Sequence, residues 1–276
     1  KELGVPVLYY ISPQVWAWRQ HRVHEIGERV DQMAVIFPFE VPFYRKADVP
    51  VRFVGHPLVN EVYSDLTTEE ARSALGLHAG RPTVGLFPGS RRSEIRRLLP
   101  LLLEAGARLQ ADRPEVQFVL PRAATLDAAE LAPYLDRSTL AVHQVSAPFY
   151  DVIRACDVVA TASGTAALEV ALMGVPLVVV YRMNPLTFRI MRRMVRLDHV
   201  SLCNIVAGRQ VAPELLQDEA TPERIAAELA GPLDDPALAA SARAALAPVR
   251  GRLGGNGGAA NAAQLLLEML GLKGEG

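Results

Sequence analysis

The sequence predicts an α/β protein in which parallel strands are covered by helices on both faces. Short apolar runs rich in Val, Ile and Leu alternate along the chain with helix-period patterns, which is typical of parallel sheets. At two junctions between a strand and the following helix, residues 88–91 and 163–165, Gly stands beside a hydroxyl residue. Such a junction exposes backbone N–H groups at the positive end of a helix, so it attracts phosphate.

The predicted elements follow from the spacing of the apolar residues and from the residues that bound them. Strand-sized apolar runs lie at 6–11, 32–37, 51–54, 83–87, 116–120, 140–142, 157–161 and 177–181. Helical spacing of leucines predicts a helix over 95–110, and weaker patterns predict helices over 151–155, 165–173, 238–247 and 259–270. Thr67, with Glu69 and Glu70 after it, is typical of a helix start.

Composition limits the classes of protein to which the chain can belong. Its 276 residues are 50% hydrophobic and 21% charged, as in a soluble globular protein with a sizeable core. The net charge of -1 gives no overall attraction to nucleic acid, so no nucleic-acid partner is expected. Cys156 and Cys203 lack metal-ligand spacing and predict no disulfide framework, which fits a reducing cytosol. No run reaches the roughly 18 apolar residues of a membrane span.

A domain boundary is predicted near residues 60–68, where a strand ends and a new helix begins. Residues 1–62 would form the end of one α/β domain, and residues 66–250 a complete second one. The Gly-rich stretch 251–258 predicts a turn, and 256–272 contains the final helix. The chain starts at Lys1, without Met, and enters an apolar run almost at once, so we expect further residues upstream.

The junction Ser163-Gly164-Thr165 is the first candidate ligand site. Gly permits close backbone approach, and the two hydroxyl residues can cap the helix or donate to phosphate oxygens. Glu169 lies four residues after Thr165, hence on the same helix face, where a carboxylate could accept hydrogen bonds from ribose hydroxyls. A plain helix cap with an acidic residue near the helix start would give the same pattern.

The junction Gly89-Ser90-Arg91 is the second candidate. The Gly and Ser supply a tight turn, and Arg91 offers a planar fork suited to phosphate. Glu94 would cap the following helix or orient Arg91. A surface Arg at a loop explains this motif taken alone, but two such junctions in one α/β pattern predict a diphosphate held between them. Neither junction is a Walker A loop or a GxGxxG dinucleotide site.

Several segments occur together in the order typical of one enzyme family. They are Ile-Ser-Pro-Gln-Val-Trp-Ala-Trp-Arg at 11–19, Phe-Pro-Phe-Glu at 37–40, Gly-His-Pro at 55–57, the two junctions above, Tyr-Arg-Met-Asn-Pro at 181–185, and 204–214. These segments resemble those of the lipid-A-disaccharide synthases, which are glycosyltransferases of family 19. They are distributed over nearly the whole chain. The segments at 11–19 and 181–185 are the most specific to that family, whereas Ser-Gly-Thr with Glu occurs widely among GT-B glycosyltransferases.

The resemblance implies a GT-B fold, in which two Rossmann-like domains face each other across a cleft, here with the first domain incomplete. It implies inverting transfer of 2,3-diacylglucosamine from UDP to 2,3-diacylglucosamine 1-phosphate, which gives lipid A disaccharide 1-phosphate and UDP. No metal and no other cofactor is implied, because helix dipoles and basic side chains stabilise the leaving diphosphate. The family context further implies self-association and a cytoplasmic protein peripheral on the inner membrane of a Gram-negative bacterium.

The resemblance also implies roles for individual residues. The diphosphate would be held by Gly89, Ser90, Arg91, Ser163, Gly164 and Thr165, the ribose by Glu169, and the uracil by a loop around Gln144 and Val145. Arg91 and Asn204 would support catalysis, Asn204 as a polar contact near the reacting sugar. The acceptor side or cleft would be lined by Ser12, Trp16, Trp18, His56, Arg182 and Asn184. Core packing is the favoured interpretation for at least one of the two tryptophans.

The family's Gly-Glu-Ala-Ser-Gly-Asp segment is missing from this chain, and with it roughly the first 100 residues of a two-domain enzyme. The general base is therefore expected upstream of Lys1, and none is named; a His beside Pro, such as His56, is more often structural. Two alternatives stay open at this point. One is another GT-B enzyme that uses a UDP-sugar, such as a UDP-N-acetylglucosamine epimerase, and the other is an inactive UDP-binding fragment.

A basic amphipathic pattern at 187–197 suggests a membrane contact. Arg189, Arg192, Arg193 and Arg196 alternate with apolar side chains, as in helices that lie on anionic lipid. A core-facing helix with a solvated arginine side would give the same pattern. The segment 187–197 therefore carries an expectation about the membrane rather than an assignment.

Reversing the charge of Arg192 and Arg193 to Glu should weaken binding to anionic vesicles. Each basic residue near such a surface contributes about 1 kcal/mol of attraction. Co-sedimentation with phosphatidylglycerol vesicles measures the effect, and neutral vesicles serve as the control. Equal sedimentation of the variant and the original chain would rule out the membrane role of these arginines.

Overall fold

The computed structural model describes residues 4–184, 188, 198–255 and 257–272. The chain divides into two compact units. The first contains the described residues up to Glu61 and from Val249 onward, and the second contains most of those between. The arginines at 189, 192, 193 and 196 lie outside the described residues.

The first unit is built on a three-stranded parallel sheet. Its strands are β1 (Leu8–Tyr10), β2 (Gln32–Val35) and β3 (Val51–Phe53), in the order β1-β2-β3. Its helices are α1 (Val15–Trp18), α2 (Arg22–Arg29), α3 (Glu40–Arg45), α4 (Leu58–Glu61), α13 (Pro248–Arg252) and α14 (Gly258–Met269). Met33, Val35 and Tyr44 form the centre of its core.

The C-terminal residues belong to this first unit through specific contacts. The Asn261 amide donates to the Val54 carbonyl over 2.9 Å, and Arg52 pairs with Glu268 at 2.6 Å. Gly254 has a φ of 99°, and a Cβ there would lie 2.9 Å from the Gly55 Cα. The final helix predicted over 259–270 is confirmed, but a turn over all of 251–258 is wrong because residues 251 and 252 end α13.

The second unit is built on a six-stranded parallel sheet. Its strands are β4 (Thr83–Phe87), β5 (Gln117–Pro121), β6 (Val142–Val145), β7 (Val158–Ala162), β8 (Leu177–Tyr181) and β9 (Glu214–Leu216). Its helices are α5 (Thr68–Ala74), α6 (Arg92–Asp112), α7 (Ala128–Leu135), α8 (Phe149–Arg154), α9 (Thr165–Leu172), α10 (Leu202–Ala207), α11 (Pro222–Asp234) and α12 (Pro236–Leu246). The short strand β9 was not predicted from the sequence.

The strand order of this sheet is β6-β5-β4-β7-β8-β9. The chain therefore starts in the middle of the sheet, moves outward to β6, and returns to β7 beside β4. This is the doubly wound order in which ligands bind where the direction reverses, at the carboxyl ends of the strands. The reversal point lies between β4 and β7.

A polar contact at the start of β4 sets its register against β7. The Asp157 carboxylate accepts the Thr83 N–H over 2.7 Å, and the Asp157 N–H donates to the Thr83 carbonyl over 2.8 Å. Arg72, which is buried, pairs with the same carboxylate at 2.6 Å and donates to the Ala155 carbonyl. The charges are thus both paired and hydrogen-bonded, as burial requires.

Three predictions about local structure have different outcomes. Thr67 accepts the Glu70 N–H while the Glu70 carboxylate accepts the Thr67 N–H, so the predicted helix start is confirmed. The strand predicted at 140–142 is displaced, because β6 runs over Val142–Val145. Gln144 and Val145 were expected in a loop, but they pair with Leu120 and Pro121 as part of that strand.

Candidate nucleotide-binding site

The two candidate junctions lie side by side at the reversal point of the six-stranded sheet. Phe87 is opposite Thr161 in the β4–β7 pairing, so the two strands end at the same level. The chain then enters α6 at Arg92 and α9 at Thr165. Two helices therefore begin directly after neighbouring strands, and the N-terminus of each adds partial positive charge at this edge of the sheet.

The first junction is closed by a carboxylate. Glu94 Oε2 accepts the backbone N–H groups of Ser90 and Arg91 over 3.1 and 3.2 Å. The Arg91 guanidinium lies 3.3 Å from the other carboxylate oxygen, and its side chain is 80% exposed. Glu94 thus both caps the helix and contacts Arg91, the two roles considered from the sequence. Gly89 has a φ of 103° and leaves room for this carboxylate.

The second junction, unlike the first, has no side chain that caps its helix. Gly164 is the N-cap residue of α9 and no side chain caps this helix, so of the two roles considered for the hydroxyl residues the helix cap is not formed. The Ser163 hydroxyl instead donates to the Val200 carbonyl over 3.4 Å, and Thr165 is exposed. The backbone N–H groups of the first turn of α9 thus donate no hydrogen bond to a side-chain cap.

Glu169 has a partner that sequence reasoning missed. The Tyr150 hydroxyl donates to Glu169 Oε1 over 3.2 Å. Tyr150 lies at the start of α8, beside Phe149, whose ring is 5.3 Å from that of Phe87. The first two residues of α8 therefore contact both strand-end motifs. A pair of aromatic residues after Pro148 was the available signal, but on its own it is indistinguishable from core packing.

Gln144 and Val145 end the strand β6, which is separated from β4 by β5. Arg122 follows β5 and fixes this end of the sheet. Its backbone N–H donates to the Val145 carbonyl over 2.9 Å, and its guanidinium donates to the Ser146 hydroxyl over 2.8 Å. Two interstrand spacings, about 10 Å, lie between β6 and β4.

Asn204 is completely buried, and its amide is fully engaged by the protein. It donates to Ala212 and Glu214 over 2.9 and 2.7 Å, and it accepts the N–H groups of Val211 and Ala212 over 2.7 and 3.0 Å. Glu214 also accepts from the Ser201 hydroxyl and N–H over 2.6 and 2.8 Å. The structure therefore makes Asn204 an organiser of the 201–214 segment; a contact with the reacting sugar stays a prediction.

Arg182 and Asn184 follow β8 and are exposed at the carboxyl edge of the same sheet. Between them, the Met183 backbone is held by Gln217. The Gln217 amide accepts the Met183 N–H over 2.7 Å and donates to its carbonyl over 3.3 Å. Gln217 does this from a left-handed backbone with a φ of 51°, and sequence analysis gave no indication of it.

The first unit gathers polar residues at the carboxyl ends of its own strands. The Ser12 hydroxyl, after β1, lies 2.6 Å from the Tyr44 hydroxyl and donates to the Pro13 carbonyl. Trp16 is buried and packs edge-on against Phe39, whereas Trp18 is 47% exposed with the Arg19 guanidinium over its ring. Core packing therefore accounts for Trp16, and only Trp18 is offered to solvent.

Two titratable groups in this cluster are strongly perturbed. Burial raises the pKa of Glu40 to about 7, against the effect of hydrogen bonds such as that from the Phe37 N–H at 3.0 Å. Burial lowers the pKa of His56 to about 4, so His56 is neutral near pH 7. Its Nδ1 accepts the Leu58 N–H over 3.2 Å, which favours the structural interpretation of this residue. Glu40 belongs to the Phe-Pro-Phe-Glu motif at 37–40, but no role was predicted for it.

The described residues contain no helix that is long and apolar enough to cross a membrane. Within the same part of the chain, His, Cys, Asp and Glu side chains form no group of three or more that could hold a metal ion.

The sheet order and the paired junctions define a Rossmann-type α/β protein, and solved structures share this fold. The chain matches an Anabaena protein, Alr3699/HepE, in complex with UDP-glucose, with a TM-score of 0.57 and 18% identity over 97% of this chain and 72% of that one. It also matches the spinosyn rhamnosyltransferase SpnG complexed with thymidine diphosphate, with a TM-score of 0.57 and 17% identity over 97% and 68%. The predicted GT-B type of α/β fold is thereby confirmed.

Sequence comparison identifies the family. The lipid-A-disaccharide synthetase model matches residues 1–245. The lipid-A-disaccharide synthase of Geobacter metallireducens is 55% identical over 99% of this chain and 71% of its own length. That of Geobacter sulfurreducens is 53% identical over 97% and 70%. The chain belongs to the lipid-A-disaccharide synthetase family, which confirms the predicted function as a glycosyltransferase of lipid A disaccharide synthesis over the epimerase alternative.

Replacing Glu40 by Gln should remove the loss of stability that ionisation of Glu40 causes as the pH rises. The pKa of Glu40 is about 7 in the folded protein and about 4.5 in the unfolded chain, so its contribution is full below about pH 4.5 and is lost as the pH rises through 7. Between about pH 5 and pH 8 the original protein should lose about 2 kcal/mol more stability than the variant. Urea unfolding at both pH values measures this difference.

Glu28→Gln, an exposed substitution on α2 of the same unit, is the matched control and should keep the original pH slope. His56 has the opposite sign, since its lowered pKa adds stability as the pH rises from about 4 to about 6.5, but it is present in all three proteins. A Glu40→Gln slope equal to that of the original protein would show that Glu40 ionises normally.

Proposed function

We propose that the reversal point of the second unit binds the diphosphate of a UDP-sugar and retains it as the leaving group. The observation that carries this proposal is the β4–β7 pairing, which brings the junctions at 88–91 and 163–165 together. A diphosphate has two charged groups, and two adjacent helix N-termini suit it better than one. The structural relative crystallised with UDP-glucose supports the choice of nucleotide sugar.

In this proposal each junction binds part of the diphosphate. Gly89, Ser90 and Arg91 contribute backbone N–H groups and a guanidinium from one side. Ser163, Gly164 and Thr165 contribute N–H groups and hydroxyls from the other. The Arg91 side chain is 80% exposed and its contact with Glu94 is weakened by solvent, so its guanidinium can turn toward a phosphate. Negative charge that develops on UDP as the sugar leaves would be stabilised by both helix dipoles and by Arg91.

The nucleoside extends from the diphosphate along the carboxyl edge. Glu169 lies one helical turn after Thr165, so its carboxylate is positioned to accept the ribose hydroxyls. The hydrogen bond from Tyr150 restrains that carboxylate before ligand binds. Gln144 and Val145, the last two residues of β6, lie about 10 Å from β4 and would contact the uracil.

The proposal also names the lipid substrates and a membrane contact. The donor would be UDP-2,3-diacylglucosamine and the acceptor 2,3-diacylglucosamine 1-phosphate. Arg182 and Asn184, which follow β8 in the second unit, would contribute to the acceptor side. Because both substrates carry acyl chains, the protein would work peripherally at the cytoplasmic face of the inner membrane, through the arginines at 189, 192, 193 and 196.

Arg91→Ala and Glu169→Gln should each weaken UDP binding. Loss of the Arg91 guanidinium removes a charged hydrogen bond worth about 1.5–3 kcal/mol, and loss of the Glu169 charge weakens its bonds to the ribose. Calorimetric titration with UDP measures both effects. Arg92→Ala is the matched control, since Arg92 is equally exposed but pairs with Glu130. Equal affinity in all four proteins would refute the assignment of this site.

Release of UDP should require both proposed lipid substrates together. Inverting transfer consumes one donor and one acceptor, so neither UDP-2,3-diacylglucosamine nor 2,3-diacylglucosamine 1-phosphate alone should give UDP above background. The assay uses the complete protein that carries this chain, with radiolabelled acceptor. UDP release from the donor alone, at the same rate as with acceptor, would indicate hydrolysis or epimerisation instead.

A further inference from the structure

Glu94 occupies the position in the first junction that an anionic ligand would take. One carboxylate oxygen, Oε2, accepts the N–H groups of both Ser90 and Arg91. The same oxygen lies 2.2 Å from where a Cβ on Gly89 would stand, so only Gly at position 89 admits it. The side chain is largely buried, with 27% of it exposed.

The neighbouring helix shows that this arrangement is more than a helix cap. Glu130 is the third residue of α7, as Glu94 is of α6, and it pairs with Arg92 at 2.6 Å. Glu130 accepts the N–H of Asp127, the residue just before its helix, over 3.3 Å. Glu94 likewise accepts the N–H of Arg91, the residue just before its helix. It also accepts the N–H of Ser90, one residue further into the loop. It therefore uses the donors of the phosphate-binding loop itself.

We infer that Glu94 is an internal competitor for the diphosphate, whose carboxylate must leave the Ser90 and Arg91 N–H groups before UDP can bind them. The inference rests on the proposed UDP site. Each N–H is directed at one acceptor, and a carboxylate and a phosphate on the same two donors would repel each other at close range. Binding exchanges one anion for the other, so part of the attraction of the loop for phosphate is cancelled.

This exchange makes Glu94 a positioning residue that sets how firmly the junction retains UDP. Without a ligand it holds the loop in place by accepting the Ser90 and Arg91 N–H groups. After transfer, its return to the same donors favours release of UDP. A helix cap without competition would make the opposite prediction, because removing the charge would only loosen the loop.

The test is Glu94→Gln, which keeps an acceptor oxygen for the cap but removes the charge. UDP affinity, measured by calorimetry on this chain, should rise roughly fivefold, as expected for removing one anion near a helix N-terminus. The melting temperature should stay the same or fall. Inorganic pyrophosphate, used as a second probe, should gain similarly, because the competition concerns the diphosphate alone.

Glu130→Gln is the matched control and should leave UDP affinity unchanged. Glu94→Ala, which also removes the cap, should lower the melting temperature and still not weaken UDP binding. If the original protein binds UDP and Glu94→Gln binds it equally or more weakly, the competition is refuted while the UDP site stands. If neither the original protein nor any of the variants binds UDP, the proposed function is refuted, and the competition is refuted with it.

Discussion

The contact between Asp157 and Thr83 is the constraint on which the second unit depends. It fixes the start of β7 against the start of β4 through two hydrogen bonds of 2.7 and 2.8 Å. A slip of one residue would turn every side chain of a strand to the opposite face, and both strands are buried on both faces. The same register places Phe87 opposite Thr161 and therefore sets the two junctions at one level. The half-buried Asp157 carboxylate also pairs with Arg72, so the buried guanidinium has a charged partner.

The two junctions have similar sequences, but they differ in whether a side chain of the protein accepts hydrogen bonds from their backbone N–H groups. At α6 the backbone donors before the helix are taken by Glu94, whereas α9 has no side-chain cap. On the proposed function, a diphosphate can meet the backbone N–H groups of α9 without displacing a side-chain cap, and must exchange with a carboxylate at the first junction. The difference arises from one residue, because an acidic side chain stands at the third position of α6 and Ala167 stands at that position of α9. A helix N-terminus is thus a general anion site whose strength is adjusted by its own first turn.

Much of the fold could be predicted from the sequence because its strands are strongly apolar and regularly spaced. β4 and β8 were predicted with their observed bounds, and β7 to within one residue, since Gly, Pro and charged residues bound them. β9 was missed because Glu214–Leu216 has three residues and begins with an acidic one. The displacement of β6 has a related cause: His143 and Gln144 are polar, and an edge strand exposed on one side needs no continuous apolar run.

The site was less predictable than the fold, because its supporting contacts join residues that are distant in sequence. Glu169 was identified from its spacing to Thr165, but its partner Tyr150 belongs to a different helix. Gln217 holds Met183 from 34 positions away, and a single polar residue at a strand end gives no sign of such a partner. Local motifs report which backbone turns are built for a ligand. They do not report which side chains keep those turns in place.

Asn204 illustrates how a residue can affect this site without touching a ligand. Its buried amide and Glu214 fix residues 200–214, and the Val200 carbonyl at the start of this segment accepts the Ser163 hydroxyl of the second junction. Removing the Asn204 amide would leave the N–H groups of Val211 and Ala212 without their acceptor, at a cost of about 1–3 kcal/mol each. Displacement of that segment would reach Ser163 through one hydrogen bond. A loss of activity on substitution of Asn204 is therefore explained by displacement of the junction alone, and a direct contact with the sugar would have to be established by a change in substrate affinity at unchanged stability.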